Sequence, residues 1–261
     1  MNWTSGLLGF AAGLVISVVT APAGVSGAVF LLPVQVSVLG VPSPAVTPTN
    51  LLYNVVAGPG ALLRHARAGR LGGPLTRLLL AGTVPGVVLG ALIRVFALPG
   101  PAVFRLLIAV FLLPLGLWLS WRTLRPPRGE RPVRPLSARS TGGLALVVGT
   151  VGGIYGIGGG SLLGPILAGR GTPVAQVAPA ALASTFVTSV VGAITYALLS
   201  LTAEGSIAPD WPLGIACGLG GLVGGYLGAH LQPRLPETFL RLLLGSLATA
   251  IGALYAVQTF S

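Results

Sequence analysis

A stretch of fourteen residues, 152–165, constrains the fold of this chain more than any other feature. Seven of the fourteen are Gly, and the stretch interrupts an apolar run. Each Gly in a helix interior costs about 1 kcal/mol relative to Ala, so a cluster this dense predicts a break in the helix. In a membrane, a break leaves backbone groups unpaired, which is tolerated only where the backbone is packed in protein or lines a polar cavity. The stretch therefore predicts half of a binding site.

The membrane setting follows from the scarcity of charge. Hydrophobic residues make up 53% of the chain and charged residues only 7%, whereas a soluble domain carries about 25% charged residues. Several apolar runs approach the roughly 20 residues that cross the hydrocarbon as a helix, and the alternation of an outer-membrane barrel is absent. The net charge of +11 comes from Arg alone. Because these Arg lie mainly between apolar segments, where they set orientation, no nucleic-acid partner is expected.

The chain contains an internal duplication. Three residues of the first half recur in the second at an offset of 132, and later Gly, Pro and Ala residues recur in the same order at nearly the same offset. The three pairs are Gly24 and Gly156, Gly27 and Gly159, and Pro33 and Pro165. We therefore predict a first membrane repeat at 1–121, a cytoplasmic Arg/Pro-rich linker at 122–139, and a second membrane repeat at 140–261.

Each repeat divides into five segments, of which the first two are short or interrupted. The second segment has 9 to 12 residues, and a helix of that length spans roughly 13–18 Å, about half of a hydrocarbon core. The first two segments thus form either a re-entrant hairpin or one long interrupted crossing. In the first repeat the segments are about 4–20, 28–39, 45–63, 75–93 and 102–121, and in the second about 141–154, 161–169, 174–201, 212–231 and 237–258.

The distribution of Arg favours the hairpin. With the linker in the cytoplasm, a hairpin gives each half an odd number of crossings and places 13 of the 15 Arg on the cytoplasmic side, with only Arg94 and Arg105 outside. An interrupted crossing gives a split of 10 to 5, which fits the positive-inside rule less well. The fold class we predict is therefore an all-α polytopic membrane protein in the cytoplasmic membrane. It has two inverted repeats, each a short broken or re-entrant helix pair plus three transmembrane helices, and both termini lie outside.

The two breaks are the candidate binding residues. A broken helix presents free N–H groups that bind anions, and Gly lets a ligand approach the backbone closely. Polar residues of the third segment are expected to assist. The competing interpretation is close helix packing through small residues, which we prefer for the regularly spaced Gly of the fourth segments. The candidate substrate-binding residues are Gly24, Ser26, Gly27, Ala28, Asn50, Tyr53, Gly158, Gly159, Gly160, Ser161 and Thr185.

Acidic and catalytic groups are missing from the predicted membrane interior. Glu130, Glu204, Asp210 and Glu237 all fall in loops or at segment ends. A buried carboxylate that binds sodium or relays protons is therefore disfavoured. There is no Ser–His–Asp set, no paired carboxylate and no metal-ligand cluster, and Cys217 is the only cysteine. We predict no catalytic residues, no metal, no cofactor and no enzymatic activity.

Taken together, the duplication, the Gly-rich breaks and the Pro-bearing starts of the third segments resemble the TauE/SafE sulfite exporter family. Residues 156–165, their partners at 24–33, and the regions of Pro48 and Pro179 carry this resemblance, which covers almost the whole chain. The resemblance implies transport, in the export direction, of small sulfur-containing anions such as sulfite, sulfonates including sulfoacetate, or thiosulfate. It also implies coupling to the proton gradient.

Three interpretations remain at this point. The first is a secondary transporter that binds a small oxyanion between its two repeats and moves it by alternating access. Any proton would then enter on the substrate or through solvent. The second is a passive anion channel with paired re-entrant half-helices. The third, a membrane-embedded enzyme or assembly factor, requires a reactive side chain in the bilayer that the sequence does not supply. The sequence leaves the particular anion, the coupling ion and the oligomeric state open.

Overall fold

A computed structural model describes residues 3–97, 101–125, 137–170, 172–202 and 207–260, and these form an assembly of helices without strands. Of the predicted linker, 126–136 lies outside the described residues. The helices are α1 Trp3–Thr20, α2 Ala28–Pro33, α3 Ser43–Arg67, α4 Pro74–Phe96, α5 Pro101–Leu124, α6 Ala138–Tyr155, α7 Leu163–Gly169, α8 Val174–Leu199, α9 Trp211–Leu231 and α10 Glu237–Phe260.

The all-α polytopic prediction is confirmed. Five of the described helical stretches are long and apolar enough to cross a membrane. Each predicted segment corresponds to one helix, with ends that differ by no more than four residues, except that α2 ends at Pro33 and not at 39. The five candidate spans are Trp3–Ala23, Pro74–Phe96, Val174–Leu199, Trp211–Arg234 and Glu237–Val257.

Both predicted breaks are real interruptions of helix, and each turns on a left-handed Gly. A single 3₁₀ turn, Ala21–Ala23, follows α1 and ends at Gly24, whose φ is +76°. Helix α6 ends at Gly156, whose φ is +70° and whose N–H donates to the carbonyl of Gly152. Residues with a Cβ rarely adopt this conformation, so Gly ends these helices without strain.

After the first break, the chain folds back along α3. The side chain of Asn50 contacts the backbone of Ala28, whereas Asn54, one turn later, contacts Ser26. Ala28, the first residue of α2, therefore lies level with Asn50, and the chain then continues to the start of α3 at Ser43, so this segment runs antiparallel to α3. Helix α2 continues as a π-helical turn, Val34–Val38, before α3 begins. The short second segment thus returns the chain towards the side from which α1 started.

Helices α1 and α3 both run parallel to α9. Along α1, the contacts proceed from Gly9 beside Leu213 to Val18 beside Gly228. Along α3, they proceed from Leu52 beside Gly214 to Ala61 beside Gly225. Because the two helices on either side of the returning segment point the same way, the first two segments form a hairpin.

Helices that correspond by the duplication run in opposite directions. Between α3 and α8, Gly58 lies beside Phe186 and Leu51 beside Gly192. Between α5 and α10, Gly252 lies beside Leu113 and Gly245 beside Ser120, which is again antiparallel. Helix α1 packs on α9, while its counterpart α6 packs on α4. The opposite directions are those expected of two inverted repeats, and the inversion itself stays a prediction.

Regularly spaced Gly residues let helix backbones touch, as the packing interpretation predicts. A Cβ at Gly220 would collide with the carbonyl of Phe10, and one at Gly224 with the carbonyl of Leu14. Gly90 meets Thr150 in the same way where α4 crosses α6. These contacts explain why the fourth segments are rich in Gly, since small residues allow the close approach on which membrane helix packing depends.

Candidate functional site

A narrow cavity lies beside the first break and between α1, α3, α8 and α9. Four of the predicted site residues line it, and they come from the break, α3 and α8. The lining includes Ser17, Thr20, Ser26, Gly27, Tyr53 and Thr185. The predicted residues Ser26 and Thr185, which lie 159 positions apart in the chain, therefore line one cavity.

Two residues of the first break that line this cavity have unused backbone donors. Within the part of the chain that the structure describes, no atom accepts a hydrogen bond from the N–H of Ser26 or of Gly27. The next N–H, that of Ala28, donates to the Ser26 hydroxyl oxygen at 3.1 Å. Buried N–H groups are nearly always paired, so two adjacent unpaired donors at a cavity wall indicate a place for an acceptor.

Tyr53 lines the cavity, and its hydroxyl lies beside Gly27. It lies 2.5 Å from the Ser17 hydroxyl oxygen, and the ring is 1% exposed. A Cβ at Gly27 would collide with this hydroxyl. Gly27, at φ −58°, is in an ordinary helical conformation, so Gly is needed here for space and not for backbone freedom.

Two asparagines of α3 form hydrogen bonds that fix the position of the first break. The Asn50 amide nitrogen donates to the carbonyl oxygen of Ala28 at 2.9 Å. The Asn54 side-chain oxygen accepts from the Ser26 hydroxyl, and its amide nitrogen donates to the carbonyl oxygen of Gly156 at 3.4 Å. Asn54 thus joins the first break to the second, while Asn50 supports the start of α2.

The second break is packed against α8 instead of lining the cavity. The N–H of Gly159 donates to the Thr188 hydroxyl oxygen at 2.9 Å, and Gly160 lies against the carbonyl oxygen of Ala181. The Ser161 hydroxyl donates to the carbonyl oxygen of Ile157 at 2.5 Å and lies 3.3 Å from the Thr185 hydroxyl. Among the predicted residues of the second half, Thr185 alone lines the cavity that the structure describes.

Two remaining predicted residues serve packing at the junction of the breaks. A Cβ at Gly24 would collide with Ala178 of α8, and the carbonyl oxygen of Gly24 lies beside Gly164. Gly158, at φ +75°, packs against the side chains of Thr185 and Ser189. These Gly residues bring the two breaks together at the centre of the molecule without contributing to the cavity wall.

Three polar side chains of the cavity lining were not among the predicted site residues. Ser17 and Thr20 come from the last turn of α1, and Asn54 comes from α3. Thr20 is 1% exposed, and in the described structure its hydroxyl has no hydrogen-bond partner. A signal was present, because two hydroxyl residues three positions apart in an apolar helix lie on one face, just before the break.

Basic side chains lie at the end of α3 and α9 towards which the cavity extends. The Arg64 Nε donates to Nδ1 of His230 at 3.2 Å, and Arg67 Nη1 donates to the Tyr226 hydroxyl at 3.3 Å. The lining residue Ala61 is one turn from Arg64 along α3. We call this the Arg64 end of the molecule. Its positive charge attracts an approaching anion.

A buried layer closes the opposite end, which we call the Arg94 end. It consists of Leu51, Ala91, Tyr196 and Ile207, none more than 8% exposed. The Tyr196 hydroxyl donates to the carbonyl oxygen of Gly153 at 3.0 Å, and the Thr47 hydroxyl to that of Ile154 at 3.2 Å. The second break is therefore tied to its neighbouring helices on this side.

Comparison with known proteins bears on this arrangement. The model of a protein family described as Sulfite exporter TauE/SafE matches residues 9–255. Neither the curated proteins nor the solved structures gave a significant match. The family match spans both breaks, the cavity and both ends of the molecule.

Proposed function

The chain belongs to the sulfite exporter TauE/SafE family, and we propose that it moves small sulfur oxyanions by alternating access through the cavity at Ser26 and Gly27. Membership makes it a multi-pass membrane transporter and not an enzyme. The finer proposal concerns the substrate class, the binding residues and the mechanism. It rests on one observation, the pair of unused N–H donors at the first break.

Those donors suit a sulfur oxyanion. Sulfite, thiosulfate and sulfonates share compact, negatively charged S–O groups that accept several hydrogen bonds at once. Hydrogen bonds to a charged acceptor are roughly twice as strong as neutral ones. In our proposal, the N–H groups of Ser26 and Gly27 bind one oxygen, and the hydroxyls of Thr20 and Thr185 donate to others. Gly at position 27 leaves room for the Tyr53 hydroxyl beside these donors.

The second break has a supporting role in the proposed site. Gly158, Gly159 and Gly160 are buried against α8, and Ser161 reaches the cavity through Thr185. The two halves thus contribute unequally in this conformation. Under alternating access, the opposite conformation would open the second break and pack the first, because inverted repeats can exchange conformations. The antiparallel course of corresponding helices supports two inverted repeats as the basis of this exchange.

The carrier interpretation is favoured over the passive channel because buried residues fill the Arg94 end of the proposed path. The cavity is lined as far as Ala61, one turn before Arg64, whereas the Leu51, Ala91, Tyr196 and Ile207 layer lies at the other end. A passive channel needs a path that is open from end to end. The lining of the cavity includes no carboxylate, so we propose that a proton crosses on the substrate, as in bisulfite.

Counterflow in proteoliposomes tests the proposal. Vesicles loaded with unlabelled sulfite should transiently accumulate labelled sulfite above equilibrium, because exchange requires a carrier that binds on alternate sides. Thiosulfate and a small sulfonate should compete with labelled sulfite, whereas a neutral sulfone of similar size should not. Flux without saturation or counterflow would support the channel. Failure to bind or move any of these anions would refute the proposed function.

A further inference from the structure

The two ends of the molecule carry related buried layers. One layer, towards the Arg64 end, consists of Ala21, Ala61, Leu182 and Ala229. The other, towards the Arg94 end, consists of Leu51, Ala91, Tyr196 and Ile207. Leu182 corresponds to Leu51 and Ala229 to Ala91 by the internal duplication. The duplication therefore provides a layer of the same origin at each end of the transport path.

One pair of corresponding residues beside these layers differs in charge. Gln232 follows α9, is 6% exposed, and donates from its amide nitrogen to the carbonyl oxygen of Pro22 in the first break at 2.8 Å. Its counterpart at the same offset as Ala91 and Ala229 is Arg94, in the last turn of α4. The Arg94 end therefore has a guanidinium where the other end has a neutral amide.

Arg94 lies beside the second break, as Gln232 lies beside the first. It is 4% exposed and lies one turn after Gly90, which packs against Gly153 and Ile154 just before the second break. Tyr155 and Tyr196 lie within electrostatic range of its guanidinium. Tyr155 is the residue immediately before Gly156, and Tyr196 bonds to the carbonyl oxygen of Gly153. The guanidinium is therefore a fixed positive charge next to the peptide groups that would move when this end opens.

We propose that Arg94, with the Tyr196 hydroxyl, forms a second anion-binding site at this end, occupied by a sulfur oxyanion when the layer opens. This inference rests on the proposed function. A guanidinium presents two parallel N–H donors that match two oxygens of an oxyanion, and it keeps its charge when buried. Low exposure reduces screening by water and salt, so the attraction is stronger than at a surface Arg. The two sides of the transporter then differ in affinity for the anion.

Uptake of labelled sulfite into right-side-out and inverted membrane vesicles tests this site, because each preparation exposes one end. The variant Arg94→Gln installs the residue of the opposite end. It should raise the half-saturating sulfite concentration by about 10-fold from the Arg94 end and by less than about 2-fold from the Arg64 end. Arg94→Lys, which keeps the charge without the fork, should show an intermediate loss from the same end.

The matched control is Arg77→Gln, which removes the same charge from an exposed position at the other end of α4. It should leave both concentrations within about 2-fold of wild type. If wild type and Arg94→Gln have equal half-saturating sulfite concentrations from each end, the second site is overturned and the proposed function is left intact. If Arg94→Gln does not fold, unchanged kinetics of Arg94→Lys from both ends would overturn it. Wild-type vesicles that transport no sulfur anion would instead refute the proposed function itself.

Discussion

The side chain of Asn54 links the two breaks of the chain, since its amide nitrogen donates to the carbonyl oxygen of Gly156, 102 residues away. On its other side, Asn54 accepts a hydrogen bond from the Ser26 hydroxyl. One buried amide thus fixes the position of the cavity-lining break relative to the packed one. A movement that exposes the second break must break or rearrange these bonds.

Replacing Asn54 by Ala should therefore lower both stability and anion affinity. The change leaves the Ser26 hydroxyl and the Gly156 carbonyl without a buried partner, at a cost of about 1–3 kcal/mol. A lower unfolding temperature of the purified protein and a weaker thermal shift with sulfite would show both effects. Thr195→Ala is a suitable control, because that hydroxyl bonds only to the carbonyl of Val191 in its own helix. A variant with wild-type affinity would contradict the linking role of Asn54.

Gly27→Ala should weaken anion binding strongly while the protein remains folded. The new methyl group would occupy the position of the Tyr53 hydroxyl and displace it from Ser17, closing the cavity beside the unused donors. Backbone strain is not involved, because φ at Gly27 is −58°. Binding measured by thermal shift or calorimetry should fall by about 10-fold or more, since displacement of a buried group opposes the ligand directly.

The control for this methyl group is Gly142→Ala, where a Cβ would meet no atom within 4 Å. Gly142 lies in helix α6, so Ala should leave binding unchanged and stabilise the helix by up to about 1 kcal/mol. If Gly27→Ala binds sulfite as tightly as this control, the cavity beside Tyr53 is not the binding site.

Much of the fold was predictable because the two halves of the duplicated sequence can be compared with each other. The breaks were visible as Gly clusters, and the duplication supplied a second, independently varied copy of each segment. Helix α2 illustrates the point, since a short apolar run could only be recognised as a returning half-helix once Arg counts favoured the hairpin. The contacts of Asn50 and Asn54 with this segment show the return directly.

The site was less predictable, because equivalent sequences do not make equivalent contacts. A duplicated sequence predicts two equivalent breaks, but only the first lines the cavity that the structure describes. Gly159 and Ser161 match Gly27 and its neighbours in pattern, yet their polar groups bond within the protein. Ser17 and Thr20 also line the cavity, but they lie one turn before the break, outside the positions at which the pattern predicts the site.

Gly156→Ala should be far more damaging than Gly69→Ala, although both residues have a positive φ. Gly69, at φ +66°, has open space around the position of a Cβ, so Ala costs only the left-handed conformation, about 1–2 kcal/mol. At Gly156, φ is +70° and the Cβ would also collide with the carbonyl of Thr47. We expect Gly69→Ala to remain folded and Gly156→Ala to lose most of its yield in detergent. Equal unfolding temperatures would contradict the close packing of the second break.

Cysteine labelling should place the two ends of α9 on opposite sides of the membrane, with the Arg64 end inside. In a Cys217→Ser background, Leu201→Cys and Arg234→Cys introduce thiols at exposed positions before and after α9. Cys217 itself is fully buried. The 13-to-2 distribution of Arg predicts that position 201 reacts with an impermeant maleimide in intact cells and position 234 only after permeabilisation. The reverse pattern would invalidate the predicted orientation, and labelling of both from one side would invalidate α9 as a single crossing.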